Sequence, residues 1–599
     1  MRVAPRRAAA PPTGQDRHTA VPALRAAVPR RIAARRVAVP AAGFWQRAAA
    51  PLLGLCLGLL ALGPGLRRGF LLSYDMVFVP HEPLSAALPG LAPPRAVPSD
   101  LAVVIVSRVI PADIAQKFLL VSIFVLACSG MAALLESEPM LARLAAGVCY
   151  TWNPYVAERL IIGQWALLLG YAGLPWVLRA LVTGGPHATR RLCLAMLPAI
   201  IGGFAAMAVT ALLAVPVALL TRNVRTVTRT VAVLVAGSLP WLVPSFLHPV
   251  YADPAGVAAF AARPDTPFGS IGSLVMLGGI WNAQTVPAAY GGPWSALWLV
   301  ITLGAATGYV LFAWRRPRRE QRGGQRGEQH RERRGEPRGG SRWPGLGVAA
   351  VASLVIAAAG VTAAGREVLR AAIAVWPGIA VIRDSQQFVA PLALAEAVGF
   401  GLIVAWAQHP RRPAPNPAGP AELGKPADRA DPAGRAIGVI ALLTPLLLLP
   451  GLAWGAAGRL HPVWYPAGWL AAARAIDAAP EPGDVLLLPW AADRSPPWNG
   501  GEVMLDAWPR LLSRPVIWND GTRVGNVWLS PDDPPARRLD TVLRETSGPL
   551  TAALRAAGVR FVVVDAGPRL APRLPGAATI INQQGLVVYE LPEAPGRTT

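Results

Sequence analysis

The sequence predicts an α-helical polytopic membrane protein, with about 11 transmembrane helices and a small extracytoplasmic α/β domain at the C-terminal end. Of its 599 residues, 53% are hydrophobic and only 15% are charged, whereas soluble proteins carry about 25% charged residues. Apolar runs of about 20 residues, the length that crosses a bilayer, recur through the first three quarters of the chain. Three domains follow: a disordered basic cytoplasmic tail (1–43), a multi-span region (44–454) and the α/β domain (455–599).

The distribution of basic residues indicates which loops face the cytoplasm, and it does not indicate nucleic-acid binding. The net charge is +23, but the basic residues fall in blocks at 2–47, 315–342 and 411–435, between apolar runs. These blocks lack the interleaved aromatic residues and the binding fold of a nucleic-acid protein. Basic blocks beside spans mark the cytoplasmic side, which predicts a cytoplasmic N-terminus and an extracytoplasmic C-terminal domain. The basic leader is too long for a signal peptide, so the first span is predicted to be a retained anchor.

Apolar runs predict the membrane spans in chain order. The run at 140–152 is short, and the run at 192–220 is long, contains proline and paired glycines, and is basic at both ends. We interpret this long run as a hairpin of two short helices, which brings the number of crossings to about 11. The predicted spans are 44–62, 118–135, 140–152, 165–182, 192–220, 230–247, 294–314, 346–364, 388–407 and 437–454.

Periodicity changes after residue 455. Short runs of β-branched and aliphatic residues at 484–489, 514–519 and 559–565 predict buried strands, and two runs around 583–585 predict a hairpin. Segments 466–478 and 536–557 are predicted helices. No phosphate-binding glycine motif is present, so the sequence does not support nucleotide binding. The cysteines lie in apolar stretches without paired spacing, which is typical of buried structural residues.

Asp75 is the first candidate for chemistry. It follows the first span and has apolar neighbours on both sides, such as Leu72 and Met76. A carboxylate that is partly desolvated has a raised pKa and is a stronger base. We therefore predict Asp75 as the catalytic residue, with Glu82 as a substrate-binding residue in the same outer loop. The alternative is an exposed loop with solvated charges.

A second polar group lies between two predicted spans, in the turn 152–165. Arg159 is a candidate bidentate donor to a phosphate. Asn153 and Gln164 are candidates for binding hydroxyl groups, and Glu158 completes the substrate-binding set. Residues of this type at a membrane surface also serve as interfacial anchors, and this alternative stays open.

A third polar group, Arg383 and Asp384, directly precedes a predicted span. Arg383 is a candidate clamp for a lipid phosphate. The alternative is a local ion pair in which Asp384 caps the next helix. Glu396 lies within that span, where a carboxylate is costly and is a functional candidate by default; it is the feature that most favours a transporter.

The layout around Asp75 resembles the GT-C superfamily of polytopic membrane glycosyltransferases. These proteins carry a catalytic acidic residue in the first outer loop, and many carry two in a row. Here the motif is Tyr74-Asp75-Met76, with Glu82 further along. The turn Trp-Asn-Pro-Tyr-Val-Ala-Glu-Arg (152–159) also resembles one found in a branch of actinobacterial membrane proteins.

This resemblance implies transfer of a sugar from a polyprenyl-phosphate donor to a cell-envelope glycan or lipid on the outer face. It implies membrane lipid, the lipid-linked sugar and the envelope glycan as partners, and no nucleic acid. A divalent metal cofactor is compatible with such chemistry, but no ligand cluster in the sequence supports one, and no residue is predicted as a metal ligand. The alternatives are a transporter or flippase of lipid-linked sugars, and a non-catalytic envelope-assembly protein.

Overall fold

A computed structural model describes residues 41–88, 97–247, 252–322, 342–408, 432–545, 548–565, 570–583 and 585–592. The chain divides into a short unit, Met1–Trp45, and a large unit, Gln46–Thr599. Nearly all of the predicted basic tail (1–43) lies outside the described residues, as does most of the basic block at 411–435. The account below concerns the large unit.

Apolar sequence folds here into helices, several of which are long. Their bounds are Ala41–Leu62, Leu84–Ala87, Ser99–Ser107, Ala112–Leu134, Met140–Thr151, Pro154–Ile161, Trp165–Val182, Ala188–Gly202, Phe204–Leu220, Val224–Leu247, Gly256–Ala259, Gly269–Val275, Ser295–Arg322, Arg342–Ala359, Ala363–Val375, Ala390–Gln408, Pro432–Leu448, Ala467–Ala478, Trp508–Leu511, Pro534–Glu545 and Thr551–Ala556. The protein is therefore a helical, multi-pass membrane protein, as predicted.

The predicted number of about 11 crossings is not confirmed. Within the described residues, six helices are long and apolar enough to span a membrane, and up to eight if each of two bent helix pairs is one span. Met140–Thr151 has 12 residues and measures about 18 Å by helix rise, short of a hydrocarbon core of about 30 Å. The run at 192–220 breaks at Gly203, whose φ of 75° ends one helix and begins the next.

The α/β region is built on a five-stranded sheet. Its strands lie in the order β10 (Ala578–Gln583), β11 (Leu586–Glu590), β9 (Val559–Asp565), β3 (Asp484–Leu488) and β6 (Val516–Ile517). Strands β6, β3 and β9 are parallel, while β11 and β10 extend the sheet in antiparallel fashion. The predicted helix 536–557 is two helices in the structure, Pro534–Glu545 and Thr551–Ala556. The strands are β1 Phe70–Leu71, β2 Pro462–Val463, β3 Asp484–Leu488, β4 Asp493–Arg494, β5 Met504–Leu505, β6 Val516–Ile517, β7 Arg523–Val524, β8 Val527–Trp528, β9 Val559–Asp565, β10 Ala578–Gln583 and β11 Leu586–Glu590.

The loop after the first span is interwoven with the α/β region. Strand β1 pairs with β2, and Tyr74 bridges to Met504 of β5. The Tyr465 hydroxyl donates to the carbonyl of Phe78 at 2.9 Å. These contacts place the loop that carries Asp75 at the boundary between the spanning helices and the α/β region.

The start of helix Ala112–Leu134 holds the same loop from the other side. The carboxylate of Asp113 accepts hydrogen bonds from the Arg68 side chain at 2.6 Å and from the Gly69 backbone at 3.1 Å. Gln116 makes two hydrogen bonds to the backbone of Leu71, at 2.9 and 2.7 Å. The Gln116 side chain thus accepts from the backbone nitrogen of Leu71 and donates to its carbonyl, as a neighbouring β-strand would, and so fixes the loop in position.

Candidate active site

Asp75 sits in a tight turn that is packed against the turn before helix Trp165–Val182. The Met76 backbone donates to the Ser73 carbonyl at 2.8 Å, and the Asp75 backbone donates to the Ile162 carbonyl at 3.1 Å. Gly163, with φ of 85°, is required there, because a Cβ atom would lie 2.3 Å from the Met76 nitrogen. Tyr74 has φ of 42°, a conformation that costs about 1–3 kcal/mol in a non-glycine residue and recurs at functional sites. The turn is held in a defined shape.

The Asp75 carboxylate is accessible but poorly solvated. The residue is exposed, yet protein surrounds it closely enough that desolvation is the main reason its pKa rises to about 7. The negative charges of Asp493 and Asp384 raise the pKa further, whereas a hydrogen bond with Gln164 and the charge of Arg510 lower it. A carboxyl group that titrates near neutral pH and remains reachable from solvent has the properties of a general base.

Gln164 connects Asp75 with Asp384. Its amide nitrogen lies 3.4 Å from a carboxylate oxygen of Asp384, and its side chain lowers the pKa of Asp75. Burial raises the pKa of Asp384, against the lowering effect of the Arg159 charge, the Gln164 hydrogen bond and the Arg383 charge. The structure thus brings together three of the residues singled out from the sequence, which come from distant segments of the chain.

Arg159 is a buried cation beside this group. Its side chain is 1% exposed, and one guanidinium nitrogen lies 3.9 Å from the Glu158 carboxylate. The guanidinium lies 5.1 Å from the centre of the Tyr155 ring. Among the described residues, its Nε and Nη1 atoms have no hydrogen-bond partner. Because unmade hydrogen bonds of a buried charge are costly, these two donors are suited to a ligand.

Glu158 and Asp265 form a buried carboxyl pair next to Arg159. Desolvation raises the pKa of Glu158 well above its usual value, and the Asp265 charge and a hydrogen bond with Asp265 raise it further. Asp265 accepts a hydrogen bond from the Ile280 backbone at 3.1 Å. Desolvation and Asp265 both favour the protonated form of Glu158 beside the Arg159 guanidinium.

Asn153 caps a helix, and both polar atoms of its side chain are engaged in hydrogen bonds. Its side-chain oxygen accepts from the Val156 backbone at 3.0 Å, and its amide donates to the Tyr150 carbonyl at 2.8 Å and to the Tyr171 hydroxyl at 3.1 Å. It begins helix Pro154–Ile161 and thereby aims Arg159. We therefore assign it a supporting position outside the reaction centre.

Arg383 is engaged with the α/β region. It lies 3.8 Å from the Asp532 carboxylate, and its guanidinium is 4.9 Å from the centre of the Phe260 ring. Asp384 has no side-chain capping hydrogen bond to the following helix. The pair therefore does not cap that helix in the way the alternative interpretation expected. Arg383 therefore links the α/β region to the segment before helix Ala390–Gln408, which forms the rim of the candidate site.

Glu82 belongs to a charged group around Arg510. It lies 3.9 Å from Arg510, which pairs with Asp100 at 2.7 Å. Desolvation raises the pKa of Glu82 to about 8, against the lowering effect of Arg510. The charge of Arg510 also lowers the pKa of Asp75, so Arg510 acts on both carboxyl groups.

Asp493 of the α/β region is a functional candidate that the sequence analysis missed. Its charge raises the pKa of Asp75, and its carboxylate accepts from the Thr522 hydroxyl at 2.9 Å. The segment Ala492-Asp493-Arg494 has no local pattern that marks it, since its role depends on the docking of the α/β region. Within the described residues, no group of three or more His, Cys, Asp or Glu side chains is arranged to hold a metal ion.

Glu396 is buried within helix Ala390–Gln408. Neither of its carboxylate oxygens has a hydrogen-bond partner among the described residues. A carboxyl group in this position is neutral or serves a function.

The raised pKa of Asp75 predicts a pH-dependent stabilisation by Asp75→Asn. In the folded protein the carboxyl ionises at about pH 7, compared with about 3.9 in an unfolded chain. Its contribution to stability is therefore full below the unfolded pKa and is lost as the pH rises through 7. The neutral amide avoids this loss, so the variant should unfold at a higher temperature than the wild type at pH 8, with a smaller difference at pH 5. Tryptophan fluorescence in detergent measures the unfolding temperature of each protein at both pH values. A difference in unfolding temperature that does not change with pH would contradict the raised pKa of Asp75.

Comparison with known proteins identifies the fold. No family model matches the chain, and no curated protein matches it in sequence. Among solved structures, the arabinofuranosyltransferase AftD from mycobacteria is similar with a TM-score of 0.52 and 17% identity, over 92% of this chain and 40% of that one. A single-residue mutant of the same enzyme is similar with a TM-score of 0.50 and 18% identity, over 91% of this chain and 41% of that one. This chain therefore spans about two fifths of the enzyme's length and shares the fold of that part, in agreement with the resemblance in fold predicted from the sequence.

Proposed function

We propose that this protein is a membrane glycosyltransferase that transfers a sugar from a polyprenyl-phosphate donor to a hydroxyl group of a cell-envelope glycan or lipid. The observation that carries the proposal is Asp75, an accessible carboxyl group whose pKa is about 7 and which is held in a rigid turn. The GT-C type of fold supports it. Because the similar enzyme is an arabinofuranosyltransferase, arabinofuranose is the first sugar to test.

Asp75 acts as the general base in this proposal. A carboxylate oxygen accepts the proton of the acceptor hydroxyl while the hydroxyl oxygen forms a bond to the anomeric carbon of the donor. The bond between that carbon and the phosphate oxygen breaks, and polyprenyl phosphate leaves with the electron pair. A pKa close to the working pH suits this role, because the base is then largely deprotonated and still binds a proton well.

Arg159 stabilises the charge that develops on the departing phosphate. Preorganised donors aimed at developing charge are among the largest contributors to catalysis, and its Nε and Nη1 atoms have no partner among the described residues. Gln164 and Asp384 are proposed to bind sugar hydroxyls beside Asp75. Glu158 acts through Arg159 as a positioning residue.

A transfer assay tests this proposal directly. The purified full-length protein in lipid nanodiscs would be incubated with a short-chain polyprenyl-phosphate arabinofuranose and a synthetic glycan acceptor, and products would be detected by mass spectrometry. We expect addition of single sugar residues. Absence of transfer with a panel of polyprenyl-phosphate sugars, together with unchanged surface glycans in a deletion strain, would contradict the proposal and favour a non-catalytic assembly protein.

Glu396 supports a second candidate, a transporter or flippase of lipid-linked sugars. Its two oxygens lack partners among the described residues, although the side chain lies within a membrane span. In a transporter such a carboxyl group binds and releases a proton or substrate during turnover. The variants in the Discussion separate this candidate from the enzyme.

The proposed site requires the α/β region to be extracytoplasmic. We expect a membrane-impermeant thiol reagent to label Ala552→Cys in intact cells, and to label Asn223→Cys only after permeabilisation. Both positions are exposed, and both variants would be made in a background without the four native cysteines. The basic blocks predict this orientation, and the reverse labelling pattern would place the site on the cytoplasmic face.

A further inference from the structure

A cavity of about 490 Å³ lies between the first outer loop and the α/β region. Its size is in the range of small-molecule sites, about 300–1,000 Å³. None of the residues assigned above to the proposed reaction lines it. The lining residues used below are Glu82 and Ser107, together with His81, Arg108, Arg474 and Asp477.

The inner wall of the cavity carries neutral polar groups that lack partners. The Glu82 side chain is 5% exposed, and its Oε1 atom has no hydrogen-bond partner among the described residues; the same holds for the buried Ser107 hydroxyl. The pKa of Glu82 is about 8, so at neutral pH it is mostly a protonated acid. Both groups can donate and accept, which is the hydrogen-bonding pattern that matches the hydroxyl groups of a polyol.

The mouth of the cavity is cationic. His81, Arg108 and Arg474 are exposed, and the two arginines bring permanent positive charge. The opposing carboxylate, Asp477, already accepts two hydrogen bonds of 3.1 Å from the Ser513 backbone nitrogen. Arginine is well suited to phosphate through paired N–H donors, so the mouth favours an anion.

Exposed apolar side chains lie in or next to two short helices, Leu84–Ala87 and Ser99–Ser107, the second of which lines the cavity. Leu84, Leu88, Ile105 and Val109 are all exposed, Val109 to 85%. Val109 precedes the candidate membrane span Ala112–Leu134 by three residues, so this end of the apolar group lies next to a span. Apolar residues in this position are covered by lipid rather than by water.

We propose that this cavity binds the headgroup of an anionic membrane lipid that carries hydroxyl groups, such as phosphatidylinositol, with the phosphate at Arg108 and Arg474 and the hydroxyls at Glu82 and Ser107. The apolar residues at Leu84, Ile105 and Val109 accommodate the start of the acyl chains. This site goes beyond the proposed transfer reaction and does not depend on it.

Lipid binding to the delipidated, purified full-length protein in detergent tests the proposal. The probes are phosphatidylinositol, phosphatidylcholine and phosphatidic acid with eight-carbon chains, inositol 1-phosphate, and inorganic phosphate. We expect phosphatidylinositol to bind more tightly than the other four. The double variant Arg108→Gln/Arg474→Gln should weaken its binding by about tenfold or more, the loss expected when charge-assisted hydrogen bonds are removed.

Two further variants keep the test specific. Arg538→Gln, which removes an exposed arginine of helix Pro534–Glu545, is the matched charge control and should bind as the wild type does. Ser107→Ala should weaken phosphatidylinositol more than phosphatidic acid, which lacks the hydroxyls. Equal binding of phosphatidylcholine, or unchanged binding by the double arginine variant, would overturn the proposal. Inositol 1-phosphate binding as tightly as the lipid would overturn the lipid assignment in favour of a soluble phosphate.

Discussion

Asp75→Asn is expected to abolish sugar transfer while leaving expression and membrane insertion intact. The amide has nearly the same shape as the carboxylate but cannot accept the proton, and loss of a general base lowers rates by about 10²–10⁴. In the wild type, kcat/KM should rise as the pH increases through about 7, where Asp75 loses its proton. The measurement is the pH profile of transfer by both proteins in nanodiscs.

Glu396→Gln is the matched control for this experiment. Glu396 lies within a candidate span, outside the turn that carries Asp75, and an amide replaces a neutral carboxyl group at little cost. In the enzyme, this variant should transfer sugar at a rate near that of the wild type. The reverse result, with Glu396→Gln inactive and Asp75→Asn active in a deletion strain assayed for surface glycans, would identify a transporter coupled through Glu396.

Arg159→Lys is expected to lower kcat by about 10²–10³, the effect of losing an aligned donor to a developing charge. Lysine keeps the positive charge that balances Glu158, Asp265 and Asp384, so the fold should persist. It loses the planar, bidentate geometry that matches a phosphate. Transfer kinetics at saturating donor, with thermal unfolding as the measure of folding, distinguish the catalytic effect from a structural one.

Arg383→Gln provides the comparison for Arg159. Arg383 lies at the rim and is engaged with Asp532 and Phe260, so its removal should affect transfer less than tenfold, the scale of a rim ion pair. If Arg383→Gln instead reduces kcat more than Arg159→Lys does, the phosphate lies at the rim, and the assignment of Arg159 is wrong.

Hydropathy predicted the fold well wherever one apolar run formed one helix or strand. The predicted span 165–182 and strand 559–565 coincide with Trp165–Val182 and Val559–Asp565 in the structure. The number of crossings could not be predicted, because short apolar helices such as Met140–Thr151 have the composition of a span without its length. Whether such a helix crosses a membrane depends on its packing rather than on its composition.

The candidate site was predictable only in part, for a similar reason. Asp75 stands out in the sequence because apolar residues flank it, and Arg159 and Gln164 stand out because they lie between two spans. Asp493 does not, because its significance comes from its electrostatic effect on Asp75, which exists only after folding. Arg383 was predicted as a phosphate clamp, but its partner Asp532 belongs to a segment that no local pattern connects with it.

The dependence of the Asp75 turn on strand β5 also sets the order of events during biosynthesis. The Tyr74 backbone donates to the Val503 carbonyl and accepts from the Leu505 nitrogen, and Leu72 is bonded to Asn499, a residue 427 positions further along the chain. A ribosome therefore delivers Asp75 to the membrane long before it has made the strand that shapes the turn. A nascent chain carries the proposed base but not its final geometry, and the site becomes complete only when the α/β region has been made and has docked.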